Sequence, residues 1–160
     1  MVSAPSEELL KAKRVVLHLL KYRARSRKEI LDRLIRKKFS QNTIDAVLEY
    51  CNKLDLIDDE AFASSWMDSR LRKPLGLRRI SFELKAKGIS EEIIQQSKDK
   101  IRENYNENEA VSDLAKDKFK KLKNLEPNKA KSRVYGFLLR RGFSPDIVNE
   151  VISQLWKLIS

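Results

Sequence analysis

One short phrase occurs three times in the chain, about fifty residues apart: Leu34-Ile-Arg-Lys-Lys-Phe39-Ser40, Leu84-Lys-Ala-Lys-Gly-Ile89-Ser90 and Leu138-Leu-Arg-Arg-Gly-Phe143-Ser144. Each copy reads as the end of one helix followed at once by the start of another. Gly88 and Gly142 stand where a helix closes through a left-handed residue, and the leucine four positions earlier packs on the apolar residue just beyond. Ser40, Ser90 and Ser144 then supply side-chain acceptors for the first amides of the next helix. Pro145 suits the first helical position of the third copy. The first copy carries Lys38 in place of glycine, which predicts a corner that is strained or differently shaped.

Apolar residues return with helical spacing on both sides of each corner. Ile30 and Leu34, Ile80 and Leu84, and Val134 and Leu138 form aligned pairs on the second helix of each unit. Ile44, Val47, Leu48 and Cys51, then Ile93, Ile94 and Ile101, then Ile147, Val148, Val151, Ile152 and Leu155 mark the third helices. First helices are predicted at roughly 6–21, 59–72 and 108–124, with breaks at 22–25, 73–76 and 125–128. Ser26-Arg-Lys-Glu29 is a capping box. Asp58, Asp59 and Glu60 put negative charge at a helix start, where the dipole favours it, or face a partner. The expectation is an all-α chain of three tandem three-helix modules, 1–57, 58–107 and 108–160. Stacked in series, they predict an elongated, curved, solenoid-like molecule.

Composition agrees with helices and points to an anionic partner. Four Gly and four Pro among 160 residues suit neither sandwich nor barrel. Thirty-four Lys and Arg against 23 Asp and Glu give a formal charge of +11, which suits nucleic acid or an anionic membrane surface. A single cysteine rules out an internal disulfide, and no Cys/His cluster suggests zinc. The opening MVSAPSEELLKAKR lacks the apolar core of a signal peptide, and no apolar run reaches membrane-spanning length, so a cytoplasmic location is expected.

The charge is uneven. The three modules hold 13 basic and 7 acidic, 10 and 10, and 11 and 6 residues, giving +6, 0 and +5. The densest run holds Lys21, Arg23, Arg25, Arg27, Lys28, Arg33, Arg36, Lys37 and Lys38 against Glu29 and Asp32. Arg36 matches Arg140, and Lys37 matches Lys87 and Arg141, all placed away from the apolar stripe. They form a basic ridge for a polyanion, or they offset the negative ends of their helices, each by about 0.3–1 kcal/mol. His18 stands without a catalytic constellation and reads as a helix-face residue, Cys51 as a small core residue. Phe62 and Trp66, one turn apart, read as core aromatics. Trp156 lies at the edge of its stripe, as a cap on the core or a partner contact. No glycine-rich loop cradles a phosphate, no cofactor is implied, and nothing resembles catalytic machinery.

The stretch Asp58-Asp-Glu-Ala-Phe62-Ala63-Ser-Ser-Trp66, with Arg70 and Gly76-Leu-Arg78-Arg79-Ile80-Ser-Phe-Glu83-Leu84-Lys-Ala-Lys87-Gly88-Ile89, resembles the central signature of RecX proteins. Leu20-Lys-Tyr22-Arg23-Ala-Arg25-Ser26-Arg27-Lys28-Glu29-Ile30 is similar to that family's entry into its first module. The third module, from about Asn108, matches loosely. The resemblance implies a bacterial regulator; a monomer is expected, and with no paired catalytic groups it is not expected to be an enzyme. Such a protein binds the RecA recombinase and its filament on single-stranded DNA, and inhibits filament extension, ATP hydrolysis and strand exchange. Arg23, Arg25, Arg27, Lys28, Arg33, Arg36, Lys37, Arg70, Arg78, Arg79, Lys87, Arg140 and Arg141 are the expected DNA and filament contacts. Two other readings fit the composition: a general nucleic-acid-binding helical protein, and a helical-repeat scaffold for an acidic protein.

Overall fold

A computed structural model describes residues 6–159, so Met1–Pro5, the head of the stretch read for a signal peptide, lie outside the described residues. Those residues form nine helices and no strand: α1 (Glu7–Tyr22), α2 (Arg27–Arg36), α3 (Gln41–Lys53), α4 (Asp59–Leu71), α5 (Leu77–Ala86), α6 (Glu91–Arg102), α7 (Glu107–Lys121), α8 (Pro127–Arg140) and α9 (Pro145–Ile159). The first helix of the third set opens one residue before its expected start, N-capped by Asn106. The break predicted at 125–128 falls earlier, at 122–126, because α7 ends at Lys121 and Glu126 already caps α8, with Pro127 in its first turn. Proline fits there, having no amide to leave unsatisfied.

All three corners close in the same way. The amides of Phe39, Ile89 and Phe143 donate to the carbonyls of Leu34, Leu84 and Leu138, and those of Lys38, Gly88 and Gly142 to the carbonyls of Ile35, Lys85 and Leu139. This paired pattern satisfies carbonyls that a helix end leaves open. Its central residue is left-handed in each case, at φ +62° for Lys38, +79° for Gly88 and +89° for Gly142. The Lys38 corner therefore carries the predicted backbone strain but has the same shape as the others. Ser40, Ser90 and Ser144 then accept from the amides of Thr43, Ile93 and Ile147, as expected of N-caps.

The chain divides into two compact units. One comprises the residues up to Ser65 together with Leu84–Ile94; the other comprises Trp66–Glu83 and the residues from Gln95 onward. In the first unit, α1, α2 and α3 enclose Ala12, Val16, Ile30, Leu34, Ile44, Val47, Leu48 and Cys51. Glu8 ties α1 to the head of α3, accepting from the Ser40 amide and from the Thr43 hydroxyl. In the second unit, α7, α8 and α9 enclose Val111, Ala115, Val134, Leu138, Phe143, Val148, Val151, Ile152 and Leu155. Phe62, Met67, Ile80, Leu84 and Ile94 of the middle module are also buried. Each large apolar side chain so buried contributes about 1.5–3 kcal/mol.

Within each unit a glycine corner seats on the head of an earlier second helix. In the first unit the Ser26 hydroxyl donates to the carbonyl of Lys87 at 2.7 Å, and a methyl group on Gly88 would stand 2.4 Å from Lys28 Cβ. In the second, the Gly76 amide donates to the carbonyl of Arg141 at 2.8 Å, and a methyl group on Gly142 would stand 2.1 Å from Arg79 Cβ. Glycine at 88 and 142 thus meets two demands, a left-handed backbone and a close approach. Lys38 is exposed and meets only the first.

Candidate nucleic-acid interface

The capping box at the head of α2 is more than a local device. Its Glu29 carboxylate accepts from the Ser26 amide, from Arg23 at 2.9 and 3.1 Å, and from Lys87 Nζ at 2.6 Å. Burial pushes the Glu29 pKa up, but the hydrogen bonds from Arg23, Lys87 and the Ser26 amide more than offset it and hold the carboxyl at about 2. Arg23, from an exposed position, and Lys87, half-buried, therefore both brace this carboxylate. A second node forms on Glu83, which accepts from Trp66 Nε1 at 2.9 Å and pairs with Arg70 at 2.9 Å and Arg79 at 3.5 Å. The Arg70 guanidinium also lies 4.6 Å from the Trp66 ring centre, so Trp66 is a half-buried anchor rather than a core residue.

The remaining expected contacts differ in setting. Arg27 is exposed, while its backbone amide donates to Asp59 at the head of α4. Asp58 caps the same helix through the Ala61 amide. Lys28 pairs with Asp32 at 2.8 Å in the open, a contact worth little in water. Arg25 and Arg33 are half-buried, and the Nε of each is enclosed without a hydrogen-bond partner among the described residues. Arg36, Lys37, Arg78 and Arg140 face solvent. Arg141 is half-buried, 5.1 Å from the Phe137 ring centre, with its Nη1 3.5 Å from the Lys73 carbonyl. Arg36 and Arg140 thus present matching exposed cations, whereas Lys87 and Arg141 are engaged at the module corners.

One place gathers cations from two helices. Arg14, Val15, His18 and Leu19 of α1 face Arg33 of α2 and the adjoining Lys37 across a cleft of about 450 Å³ with no carboxylate on its walls. Arg14 and His18 are one helical turn apart, as are Arg33 and Lys37, so each helix presents a vertical pair. His18 is also steadied edge-on by Tyr22, with ring centres 5.1 Å apart. Guanidinium and ammonium groups converging without a counter-charge suit a phosphate or another oxyanion. Arg14 and His18 were not among the expected contacts. Their one-turn spacing was visible in the sequence, but the helix they face was not.

No group of three or more His, Cys, Asp or Glu residues among the described residues has the arrangement of a metal site, and no described helix is long and apolar enough to cross a membrane.

Comparison with known proteins places this architecture. Models of the first, second and third three-helix domains of RecX match residues 12–51, 58–97 and 106–152. A regulatory protein RecX of Chlorobium phaeobacteroides (strain BS1) is 40% identical over 148 residues, 92% of this chain and 95% of the relative. Another, from Clostridium perfringens (strain 13 / Type A), is 30% identical over 151 residues, 93% of this chain and 70% of the relative. The crystal structure of RecX from Lactobacillus salivarius superposes with a TM-score of 0.81 at 24% identity, covering 93% of this chain and 97% of that one. Three consecutive matches to three-helix domains, on the modules defined by the repeated corners, show that the chain belongs to the RecX family of regulatory proteins.

Proposed function

We propose that the chain is a cytoplasmic regulator of recombination and DNA repair that binds the RecA recombinase as its filament on single-stranded DNA. In this role it restrains filament extension, ATP hydrolysis and strand exchange without itself catalysing a reaction. The observation carrying this reading is the carboxylate-free cleft of Arg14, His18, Arg33 and Lys37, in a module of net charge +6. A phosphate seated there gains from converging charge and releases counterions, so affinity is set by backbone rather than base. Arg27 and Arg36 add exposed cations to the unit that holds the cleft, and Arg78 and Arg140 present exposed cations on the other unit, while Arg23, Arg70, Arg79, Lys87 and Arg141 brace helices within their own units.

The test is the triple variant Arg14→Ala, Arg33→Ala, Lys37→Ala, with thermal melting to check the fold. Binding to the recombinase filament and inhibition of its ATPase are expected to weaken at least tenfold. The slope of log affinity for single-stranded DNA against log salt should fall by about 2, the release expected for three lost contacts on a single strand. Undiminished inhibition by a folded triple variant would overturn the reading. Equal affinity for naked DNA and the filament, with a base preference, would assign a general nucleic-acid binder instead.

A further inference from the structure

The third module holds a second concavity of the opposite chemical character. Phe119 and Trp156, with ring centres 6.1 Å apart and planes inclined at 45°, meet in it, and Leu122, Leu125, Pro127, Ala130 and Ile159 complete its apolar walls. It encloses about 590 Å³, and its only charged lining residues are Lys116, Lys120 and Lys123. Lys116 and Lys120 are one turn apart on α7, and Lys123 follows just beyond its end, so the charge lies along one side. Ile159, 62% exposed, extends the apolar surface outward together with its neighbour Leu158 at 81%. A pocket of this size and lining is in the range that holds a partner's side chains.

We infer that this groove binds an acidic, amphipathic helical segment of a protein partner, with the apolar stripe of the segment on Phe119 and Trp156 and its carboxylates on Lys116, Lys120 and Lys123. An apolar floor with a one-sided basic rim is the complement of a helix whose apolar face is flanked by Glu or Asp. The walls argue against a nucleic-acid strand. Bases need open aromatic faces to stack on, whereas the apolar walls here are mostly aliphatic. The Trp156 ring itself has Phe119 beside it and Lys131 Nζ 5.4 Å from its centre. This groove shares no lining residue with the α1–α2 cleft, and the inference does not rest on the reading of that cleft.

The experiment uses the full chain and a synthetic peptide of about 16 residues with Leu at i, i+3, i+4 and i+7 and Glu on the flanks of that stripe. Amide shifts on titration are expected in residues around 116–130 and 152–159. Lys116→Glu, Lys120→Glu, Lys123→Glu, all solvent-facing changes, should weaken the acidic peptide at least tenfold. The same variant should gain affinity for a peptide with Lys in place of Glu, and that gain would show that it folds. The triple alanine variant of the α1–α2 cleft should bind the acidic peptide as the native chain does. Three results would overturn the inference: a scrambled peptide of the same composition binding equally well, shifts falling elsewhere, or oligothymidylate occupying the groove more tightly than the peptide.

Discussion

Gly142→Ala is expected to be among the most damaging single changes in the chain, lowering stability by at least 3 kcal/mol and the melting midpoint by roughly 6–12 °C. Two costs combine. A side chain at φ +89° costs about 1–2 kcal/mol, and the added methyl would stand 2.1 Å from Arg79 Cβ and 2.8 Å from its amide nitrogen, where backbone must move. Two companion variants separate these costs. Gly76→Ala brings a methyl group 2.1 Å from the Gly142 carbonyl oxygen, so its loss is steric and should also exceed about 2 kcal/mol. Lys38→Gly relieves a left-handed residue at φ +62° on an exposed corner and should stabilise by a few tenths to about 1 kcal/mol. Urea midpoints of the three variants decide the matter. A neutral Gly76→Ala would mean that the corner does not seat closely on the head of α5.

Glu29→Gln should cost about 2–3 kcal/mol, because it keeps a side chain able to complete the capping box while leaving Arg23 and Lys87 without their shared carboxylate. The same group makes stability depend on pH. Its carboxyl sits at about 2 in the folded chain against 4.5 as its ordinary value, so between these limits the unfolded chain takes up a proton that the folded chain refuses. The contribution is complete above pH 4.5 and is lost as pH falls toward about 2. At about 1.4 kcal/mol for each unit of difference it reaches up to about 3 kcal/mol, less what solvent screens. Chemical unfolding at pH 7, 4.5 and 3 should therefore show a decline in the native chain that is shallower in Glu29→Gln. Parallel curves would remove Glu29 as the acid-sensitive brace.

These two expectations mark where the sequence was and was not sufficient. The corners, their serine caps, the capping box at Ser26 and the paired apolar positions of the second helices were all legible. Each depends on residues within about five positions of one another, where helix geometry alone fixes which groups meet. Lys38 shows the limit even there. Its identity announced strain, but the unchanged shape of its corner follows from a hydrogen-bond pattern that lysine satisfies as well as glycine does. The thirteen expected cations looked alike in the sequence. Only packing shows that Arg23, Lys87 and Arg70 brace half-buried carboxylates, whereas Arg27, Arg36, Arg78 and Arg140 lie exposed outside these two nodes.

Arg14 and His18 mark the same limit, since nothing local told α1 that α2 would set Arg33 and Lys37 opposite. By itself, the sequence determined three helical modules, their corners, the inward face of each helix and the uneven charge, because those follow from short-range periodicity and from composition. The tertiary structure alone decided that Gly88 and Gly142 are seats for another helix as well as turns, that Glu29 clasps Lys87 from 58 positions away, and that one cleft is basic and another apolar with a lysine rim. These features join residues far apart in the chain, and their meeting is set by how helices pack rather than by any spacing along the backbone.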